Sequence, residues 1–252
     1  MMIRLGCPAY LNSKALVYGL DPNQYSISFD TPSSLQKKLA QGEIDIGLLP
    51  VVAYLENPVL KILPGMGICS RGPVQSVGLF PTSPKINLLN VKKMKLDPAS
   101  LTSRKLCQIL LTQNHGRSFN EISWDEPKDF EMELLIGDTC LTQSESTRMI
   151  DLGEAWQQWT QKPFVYACWM THLDHLSHVV ADLHAALAQG LKNLEKIAHT
   201  QKIIRPELAW KYLTQNIYYE LGNHELDGLK TFFQYIKKME QTEHDHPIEF
   251  VA

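Results

Sequence analysis

Three hydroxyl side chains crowd the start of one expected helix, in the stretch KLDPASLTSRKLCQILL. Asp97 and Pro98 supply the cap and first-turn proline that such a helix needs, so Ser100, Thr102 and Ser103 require another role. A helix N-terminus offers unpaired N–H donors and the positive end of a dipole, and hydroxyls beside it can bind a carboxylate or phosphate. The pattern favours an anion clamp, and ordinary surface polar residues are the alternative.

Polar residues also follow or interrupt apolar runs at three other places. Asn12 lies between the first expected strand and a helix, at the edge where α/β sheets bind ligands, or it is a plain helix cap. Ser76 interrupts an apolar strand, where its hydroxyl either is satisfied in the core or faces a cleft. Asp138 follows Gly137 at the end of the run ELLIG, and three roles fit it: hinge anchor, helix cap or substrate contact.

Histidines are the residues most suggestive of a metal. His172, His175 and His178 are spaced by three, but no nearby acidic residue has ligand spacing, so a solvated helix start is the favoured interpretation. His244 and His246 lie in the C-terminal tail, which offers no scaffold. No GxSxG elbow, Walker loop or Rossmann glycine fingerprint occurs, and the usual hydrolase and nucleotide functions lose their main support.

Composition excludes several classes of partner. The formal net charge of -3 over 252 residues provides no basic field for nucleic acid or an anionic membrane. The five cysteines have no paired spacing and indicate reduced, mostly buried thiols. Cys7 is preceded by six residues, too few for a signal peptide, and no apolar run approaches the roughly 20 residues of a membrane span. We therefore expect a cytoplasmic protein with a small-molecule partner.

The elements that must position these residues form two similar α/β units. Up to Trp169, short apolar strands alternate with helices, and Ser33 with Gln36 has capping-box spacing at one helix start. Two such units in tandem predict two lobes. After Trp169, three segments with helical periodicity, 173–199, 205–221 and 224–241, are interpreted as packing helices without obvious chemistry, followed by a mostly disordered tail from residue 243.

Seven motifs in this order resemble one family, the chorismate dehydratases of the futalosine route to menaquinone. They span residues 10–169 and read YLNSKAL, GEIDIGLLPVVAY, RGPVQSVGLF, LDPASLTSRKLCQILL, LLIGDTCL, DLGEAWQQWT and KPFVYACW. The tyrosine-leucine-asparagine start is similar to the dehydratases rather than to the related 1,4-dihydroxy-6-naphthoate synthases.

The resemblance implies an α/β, two-lobed, type II periplasmic-binding-protein-like fold with the ligand in the cleft between the lobes. Residues 1–80 and 170–252 would form lobe 1, and residues 81–169 would form lobe 2. GPVQSVGLF and PFVYACW would be the crossing segments, and the last helices would return to lobe 1.

The resemblance also implies a reaction, the loss of water from chorismate to give 3-[(1-carboxyvinyl)oxy]benzoate, without cofactor or metal. Thr102 and Ser103 would hold one substrate carboxylate, and Ser76 with neighbouring backbone would contact the other. Asn12 would orient or polarise the reacting groups, while the enolpyruvyl carboxylate of the substrate takes the proton. The remaining expected substrate-binding residues are Ser70, Arg71, Gly137 and Asp138.

Several alternatives remain open. Arg71 stands where the family more often has a small or acidic residue, and it either adds a carboxylate contact or faces solvent. A 1,4-dihydroxy-6-naphthoate synthase is the second enzyme that the motifs allow. A non-catalytic binding protein or sensor on the same scaffold is the other class. The chain shows neither a signal peptide nor a helix-turn-helix region, so the enzyme is preferred.

Overall fold

The computed structural model describes residues 2–98, 100–125, 128–144, 147–242 and 247–251, and the tail histidines His244 and His246 lie outside this part. Ten strands are present in it. In chain order they are β1 (Ile3–Pro8), β2 (Tyr25–Asp30), β3 (Ile46–Pro50), β4 (Lys61–Ser70), β5 (Val77–Pro81), β6 (Met94–Lys95), β7 (Met132–Ile136), β8 (Ile150–Asp151), β9 (Phe164–Thr171) and β10 (Tyr218–Leu221).

Nine α-helices connect or cover these strands in the described ranges. They are α1 (Pro32–Ala40), α2 (Val52–Glu56), α3 (Leu101–Ile109), α4 (Gly137–Gln143), α5 (Leu152–Thr160), α6 (Ser177–Lys192), α7 (Leu194–His199), α8 (Pro206–Lys211) and α9 (Asn223–Glu240). The same ranges also contain 3-10 helices over Leu11–Val17 and Phe119–Glu121 and π-helical turns over Leu110–Asn114 and Tyr212–Asn216.

The larger sheet has six strands in the order β10-β4-β9-β3-β1-β2. β1 runs parallel to β2 and β3, whereas β9 is antiparallel to both β3 and β4. Every residue of β3 is buried, as expected for a central strand with both faces covered. α6 packs against β4 and α9 packs against β9, so the C-terminal helices cover this sheet.

The smaller sheet has four strands in the order β6-β7-β5-β8. β5 pairs antiparallel with β7 and β8, and β7 pairs parallel with β6. The chain therefore crosses from the larger sheet to the smaller one between β4 and β5, and returns through α5 to β9. This pairing supports two lobes with their crossing points in the expected segments. The lobe boundaries at residues 80 and 170 stay a prediction.

Two helix starts differ from the sequence expectation. α1 is capped by Thr31, whose hydroxyl accepts from the Ser34 N–H, with Pro32 in the first turn, so Ser33 is not the cap. α3 begins at Leu101 with Ser100 as its N-cap, and the prediction that Asp97 caps this helix is wrong. The Ser100 N–H donates to the Asp97 carbonyl at 3.3 Å, so Asp97 lies before the N-cap of the helix.

The C-terminal region also differs from three packing helices and a disordered tail. Residues 218–221 form β10, which pairs antiparallel with β4 and covers an otherwise open sheet edge. Their alternation of exposed and buried side chains is the strand period rather than the helical one. Farther on, residues 247–251 are ordered, since Ile62 donates to the Glu249 carbonyl and Val251 donates to the Ile62 carbonyl.

The sequence also leads to expectations about the cysteines and about membrane spans. All five cysteines are buried and free of disulfides, as their spacing predicted. In the described ranges no helix combines the length and the apolar character that crossing a bilayer requires.

Candidate functional site

A cleft lies between the two sheets. One wall comes from β1, the following 3-10 helix, β3 and β9, and the opposite wall comes from the segment before β5, the start of α3 and the start of α4. The space between the walls, counted out to and including the open mouth, is about 620 Å³. The polar residues that line it are Tyr10, Asn12, Ser76, Ser100, Thr102, Ser103 and Tyr166.

The start of α3 places three hydroxyls on this cleft. Ser100, Thr102 and Ser103 are 7%, 2% and 4% exposed. Thr102 Oγ1 accepts from the Val52 N–H at 3.4 Å, which joins α3 to the opposite wall and leaves its own proton for a ligand. In the described part of the chain, neither the Ser100 nor the Ser103 side chain has a protein hydrogen-bond partner. The first N–H groups of α3 lack intrahelical acceptors as well, so donors converge here.

Asn12 and Ser76 are joined through a tyrosine that the sequence analysis missed. Asn12 Nδ2 donates to Tyr212 Oη at 2.8 Å, and Tyr212 Oη donates to Ser76 Oγ at 2.8 Å. Tyr212 is 2% exposed and begins the π-helical turn after α8. The sequence predicts a packing helix for this segment and gives no local signal for Tyr212, whose partners are far away along the chain. Tyr219, from β10, donates to the Asn12 carbonyl at 2.9 Å.

Gly137 and Asp138 form the contact between the start of α4 and the first lobe. Gly137 has φ +61°, and a Cβ there would lie 2.6 Å from the Tyr10 ring, so both its backbone shape and its packing require glycine. The Gly137 N–H donates to the Ser76 carbonyl at 2.7 Å. Asp138 Oδ1 accepts from the Leu11 N–H at 3.1 Å, which bridges the two walls. Burial raises the pKa of the Asp138 carboxyl, against the opposing effects of that hydrogen bond and of Lys14.

Ser70 lies beside the cleft, behind Tyr166. Its hydroxyl is 3.1 Å from the Tyr166 hydroxyl, and Tyr166 lines the cleft while Ser70 is 1% exposed. A Cβ on Gly153 would lie 2.6 Å from the Gly72 carbonyl, 2.8 Å from the Tyr166 hydroxyl and 2.9 Å from Ser70 Oγ. The structure therefore packs Ser70 against the crossing segment, one layer behind the cleft surface.

Arg71 points to the C-terminal helix region. Its Nε donates to Glu225 at 2.9 Å, and its Nη2 lies 3.4 Å from Glu220. The guanidinium carbon is 4.8 Å from the centre of the Tyr218 ring. Arg71 is not among the residues that line the cleft. The structure thus brings Asn12, Ser76, Thr102 and Ser103 together with Gly137, and places Arg71 elsewhere.

The cleft surface is uncharged. Its described lining residues include no carboxylate, imidazole, guanidinium or amine. Burial is the main reason why the pKa of Tyr10 rises to about 12, with smaller contributions from Asp97 and Asp138. Burial likewise raises the pKa of Tyr166 well above its ordinary value. Both phenols therefore stay protonated near neutral pH, and the cleft offers hydroxyl, amide and backbone hydrogen bonds.

A metal centre has no support in the described ranges, which contain no group of three or more potential ligands. His172, His175 and His178 are all exposed, and the first two precede α6, which begins at Ser177. This is the solvated helix start that the sequence favoured.

Comparison with solved structures identifies the fold. A protein from Archaeoglobus fulgidus superposes with a TM-score of 0.75 at 14% identity, over 96% of this chain and 98% of that one. The alkanesulfonate-binding protein of Xanthomonas axonopodis pv. citri, bound to MOPS, has a TM-score of 0.70 at 13% identity, over 98% and 96%. A Candida albicans protein described as having the generic periplasmic binding protein fold has a TM-score of 0.59 at 13% identity, over 97% and 92%.

The two sheets and the cleft between them thus define a protein of the periplasmic-binding-protein-like class, as the sequence predicted. Within this class the chain belongs to the menaquinone biosynthesis family, whose sequence model matches residues 3–238. A relative in Thermus thermophilus, named chorismate dehydratase, is 27% identical over 255 aligned positions, which cover 90% of this chain and 93% of the relative. The family resemblance seen in the sequence is confirmed.

The ion pair of Arg71 generates a prediction about stability. Glu225 is 1% exposed, so Arg71→Met leaves a buried carboxylate without its cation, and we expect the free energy of unfolding to fall by about 2 kcal/mol. Urea unfolding measures this loss. The control is Arg4→Met, whose partner Asp45 lies near the surface, and its loss of stability should be clearly smaller than that of Arg71→Met. An Arg71→Met protein as stable as the wild type would contradict a structural role for this pair.

The bridge from Asp138 to Leu11 generates a prediction about pH. Because burial raises the folded-state pKa of Asp138 above its unfolded value, ionisation of this carboxyl costs stability as the pH rises through the folded-state pKa. Asp138→Asn keeps an acceptor for the Leu11 N–H and removes the charge. Below a pH of about 4 the two proteins should therefore melt alike, and the variant should melt increasingly higher toward pH 7.

The control for this experiment is Asp138→Ala at the acid end of the range, where ionisation of the wild-type carboxyl contributes least. It removes the acceptor of the Leu11 N–H and should cost about 1 kcal/mol. A difference in melting temperature between Asp138→Asn and wild type that stays constant from pH 4 to 7 would rule out the buried ionisation.

Proposed function

We propose that the protein is a chorismate dehydratase of menaquinone biosynthesis, a hydro-lyase that uses no cofactor. Its family membership and the name of its Thermus thermophilus relative support this reaction. The observation that carries the proposal is the chemistry of the cleft, which presents neutral hydrogen-bond donors at two separate places and no side-chain base. Such a surface suits a substrate that brings two carboxylates and its own proton acceptor.

The two groups of donors would each take one carboxylate of chorismate. At the start of α3, the hydroxyls of Thr102 and Ser103 lie beside the leading N–H groups and the positive end of the helix dipole. In the segment before β5, the Ser76 hydroxyl receives its hydrogen bond from Tyr212 and keeps its own proton for the second carboxylate. Hydrogen bonds from these groups replace the hydrogen bonds to water that a carboxylate loses when it enters the cleft.

The reaction removes a proton from C3 of chorismate and hydroxide from C4. Electrons of the C3–H bond form the C3–C4 double bond as the C4–O bond breaks, and the departing hydroxide takes up the proton removed from C3 to leave as water. Aromatisation of the ring supplies the driving force. Because the described lining residues hold no carboxylate or imidazole, the enolpyruvyl carboxylate of the substrate is the group that accepts the C3 proton.

Asn12 is the proposed catalytic side chain. Its amide faces the cleft at the end of β1 and can hydrogen-bond to the reacting groups while one of its N–H bonds is held by Tyr212. Holding substrate and amide in one geometry lowers the entropic part of the barrier. Gly137 would let the α4 backbone approach the ligand, and Asp138 would act through the bridge to Leu11 that keeps the walls together.

In this proposal Ser70 and Arg71 support the site without contacting the substrate. Ser70 would support Tyr166 from behind through the contact between their hydroxyls. Arg71 would anchor the crossing segment to the C-terminal region through Glu225 instead of binding a carboxylate. Closure of the lobes over chorismate would exclude water from the reaction.

The direct test incubates the purified protein with chorismate, with a chelator and without added cofactor. Mass spectrometry should show a product lighter by one water that forms in proportion to enzyme. Cyclic dehypoxanthine futalosine serves as the comparison substrate and should remain unchanged. Turnover of that compound with chorismate left intact would replace the dehydratase by the naphthoate synthase, and chorismate that only raises the melting temperature would indicate a non-catalytic binding protein.

A pair of variants separates catalysis from binding. Asn12→Ala should lower kcat by about 10²-fold because it removes a hydrogen bond to the reacting groups. Ser103→Ala should instead raise the KM for chorismate by about tenfold, the effect of one lost hydrogen bond to a charged group. Steady-state kinetics measure both effects, and Ser26→Ala on the exposed side of β2 is the unaffected control. A fully active Asn12→Ala protein would remove Asn12 from the mechanism.

A further inference from the structure

We propose that Tyr212 is a positioning residue that holds Asn12 and Ser76 in their working orientations, an inference that rests on the proposed function. The three side chains form one hydrogen-bonded chain across the cleft, with both contacts at 2.8 Å. Asn12 comes from the larger-sheet lobe and Ser76 from the segment leading into β5. Their shared partner comes from a third part of the chain, more than 130 residues away from both.

The direction of the chain determines what each end can offer a substrate. The single phenol proton of Tyr212 goes to Ser76 Oγ, so the Ser76 proton is directed to a different acceptor. At the other end, Tyr212 Oη accepts a hydrogen bond from Asn12 Nδ2, which fixes the orientation of the side-chain amide. The side-chain oxygen of Asn12 is thereby kept on the side away from Tyr212. One phenol thus sets a donor at Ser76 and an acceptor at Asn12.

Tyr212 is suited to hold this arrangement. It is 2% exposed, and burial raises its pKa, so the phenol keeps its proton across the neutral range. Around it, the carboxyl of Asp138 and the thiol of Cys140 raise this pKa further, while the Asn12 and Ser76 hydrogen bonds lower it. A buried phenol that is hydrogen-bonded to two partners has little rotational freedom, so it holds both neighbours in fixed orientations.

The surrounding C-terminal segment is tied to the crossing segment and to the larger-sheet lobe. Asn216 Nδ2 donates to the Pro73 carbonyl in the crossing segment at 2.9 Å. Tyr219 Oη donates to the backbone carbonyl of Asn12 at 2.9 Å. Tyr212 begins the π-helical turn that ends at Asn216, and such turns are frequent at functional sites. Two contacts on the C-terminal side of Tyr212 therefore help to hold it in place.

Kinetics of Tyr212→Phe test the proposal, since this change removes the hydroxyl and keeps the ring. We expect kcat for chorismate to fall by about 10-fold to 100-fold, with KM changed less than threefold. In a Ser76→Ala background the same change should have a smaller effect than in the wild type, because one of the two partners of Tyr212 is already gone. The control is Tyr54→Phe, another buried tyrosine with two backbone partners, at the Pro247 carbonyl and the Glu249 N–H, which should keep full activity.

A second readout does not depend on chorismate. The side-chain amide of Asn12, assigned by its loss in Asn12→Asp, is followed by 1H–15N NMR. Tyr212→Phe should shift its two proton signals and speed their exchange with water. Ser76→Ala should also shift them, although Ser76 does not contact Asn12 directly, and this variant serves if Tyr212→Phe does not fold.

The outcomes separate the two proposals. A wild-type protein that leaves chorismate intact, with Asn12 signals that respond to Tyr212→Phe, would overturn the reaction and support the positioning role. Asn12 signals unchanged in both variants would overturn the positioning role, whatever the wild type does with chorismate. Additive losses of kcat in Tyr212→Phe and Ser76→Ala would overturn it as well, since residues that act through one another are not additive.

Discussion

A carboxylate that leaves water must receive hydrogen bonds in return, and this requirement organises the molecule. The cleft meets it without a cation, through hydroxyls and backbone N–H groups that belong to different parts of the chain. Each group is itself held by a partner from another part of the chain, as Thr102 is by Val52 and Ser76 by Tyr212. The lobes therefore supply donors and orient one another's donors at the same time. A neutral surface also binds an anion without neutralising the carboxylate that the proposed reaction uses as its base.

The arrangement of the chain follows from the same requirement. Two crossings between the sheets bring β5 and β9 beside the cleft, and the C-terminal segment returns to close its back. An aromatic cluster secures this return, with Trp156 of α5 packed edge-on against Phe164 of β9 and Phe232 of α9. Because α5 follows β8 of the smaller sheet while β9 belongs to the larger one, the cluster joins the lobes at a place distant in sequence from the donors. This packing joins the two lobes at one place, and hydrogen bonds orient the side chains of the site.

Much of this could be predicted from sequence, because its signals are local. The strands around β1, β2 and β3 follow from apolar runs bounded by turns, and the hydroxyls before α3 exceed what a helix cap needs. The cap is Ser100 and not Asp97, because the Ser100 N–H donates to the Asp97 carbonyl and so places Asp97 before the helix. Tyr212 could not be found this way, because its role depends on contacts with residues far along the chain. β10 was missed for a related reason, as its partner β4 provides the pairing that overrides helical periodicity.

In the proposed function, two neutral donor groups hold the two carboxylates of chorismate in one cleft. A crystal structure of the Asn12→Ala variant grown with chorismate tests this arrangement, because slow turnover preserves the substrate. We expect one carboxylate within hydrogen-bond distance of the Thr102 and Ser103 hydroxyls and the other at Ser76, with no cationic side chain in contact. Chorismate bound through Arg71, or outside the cleft between the two sheets, would contradict it.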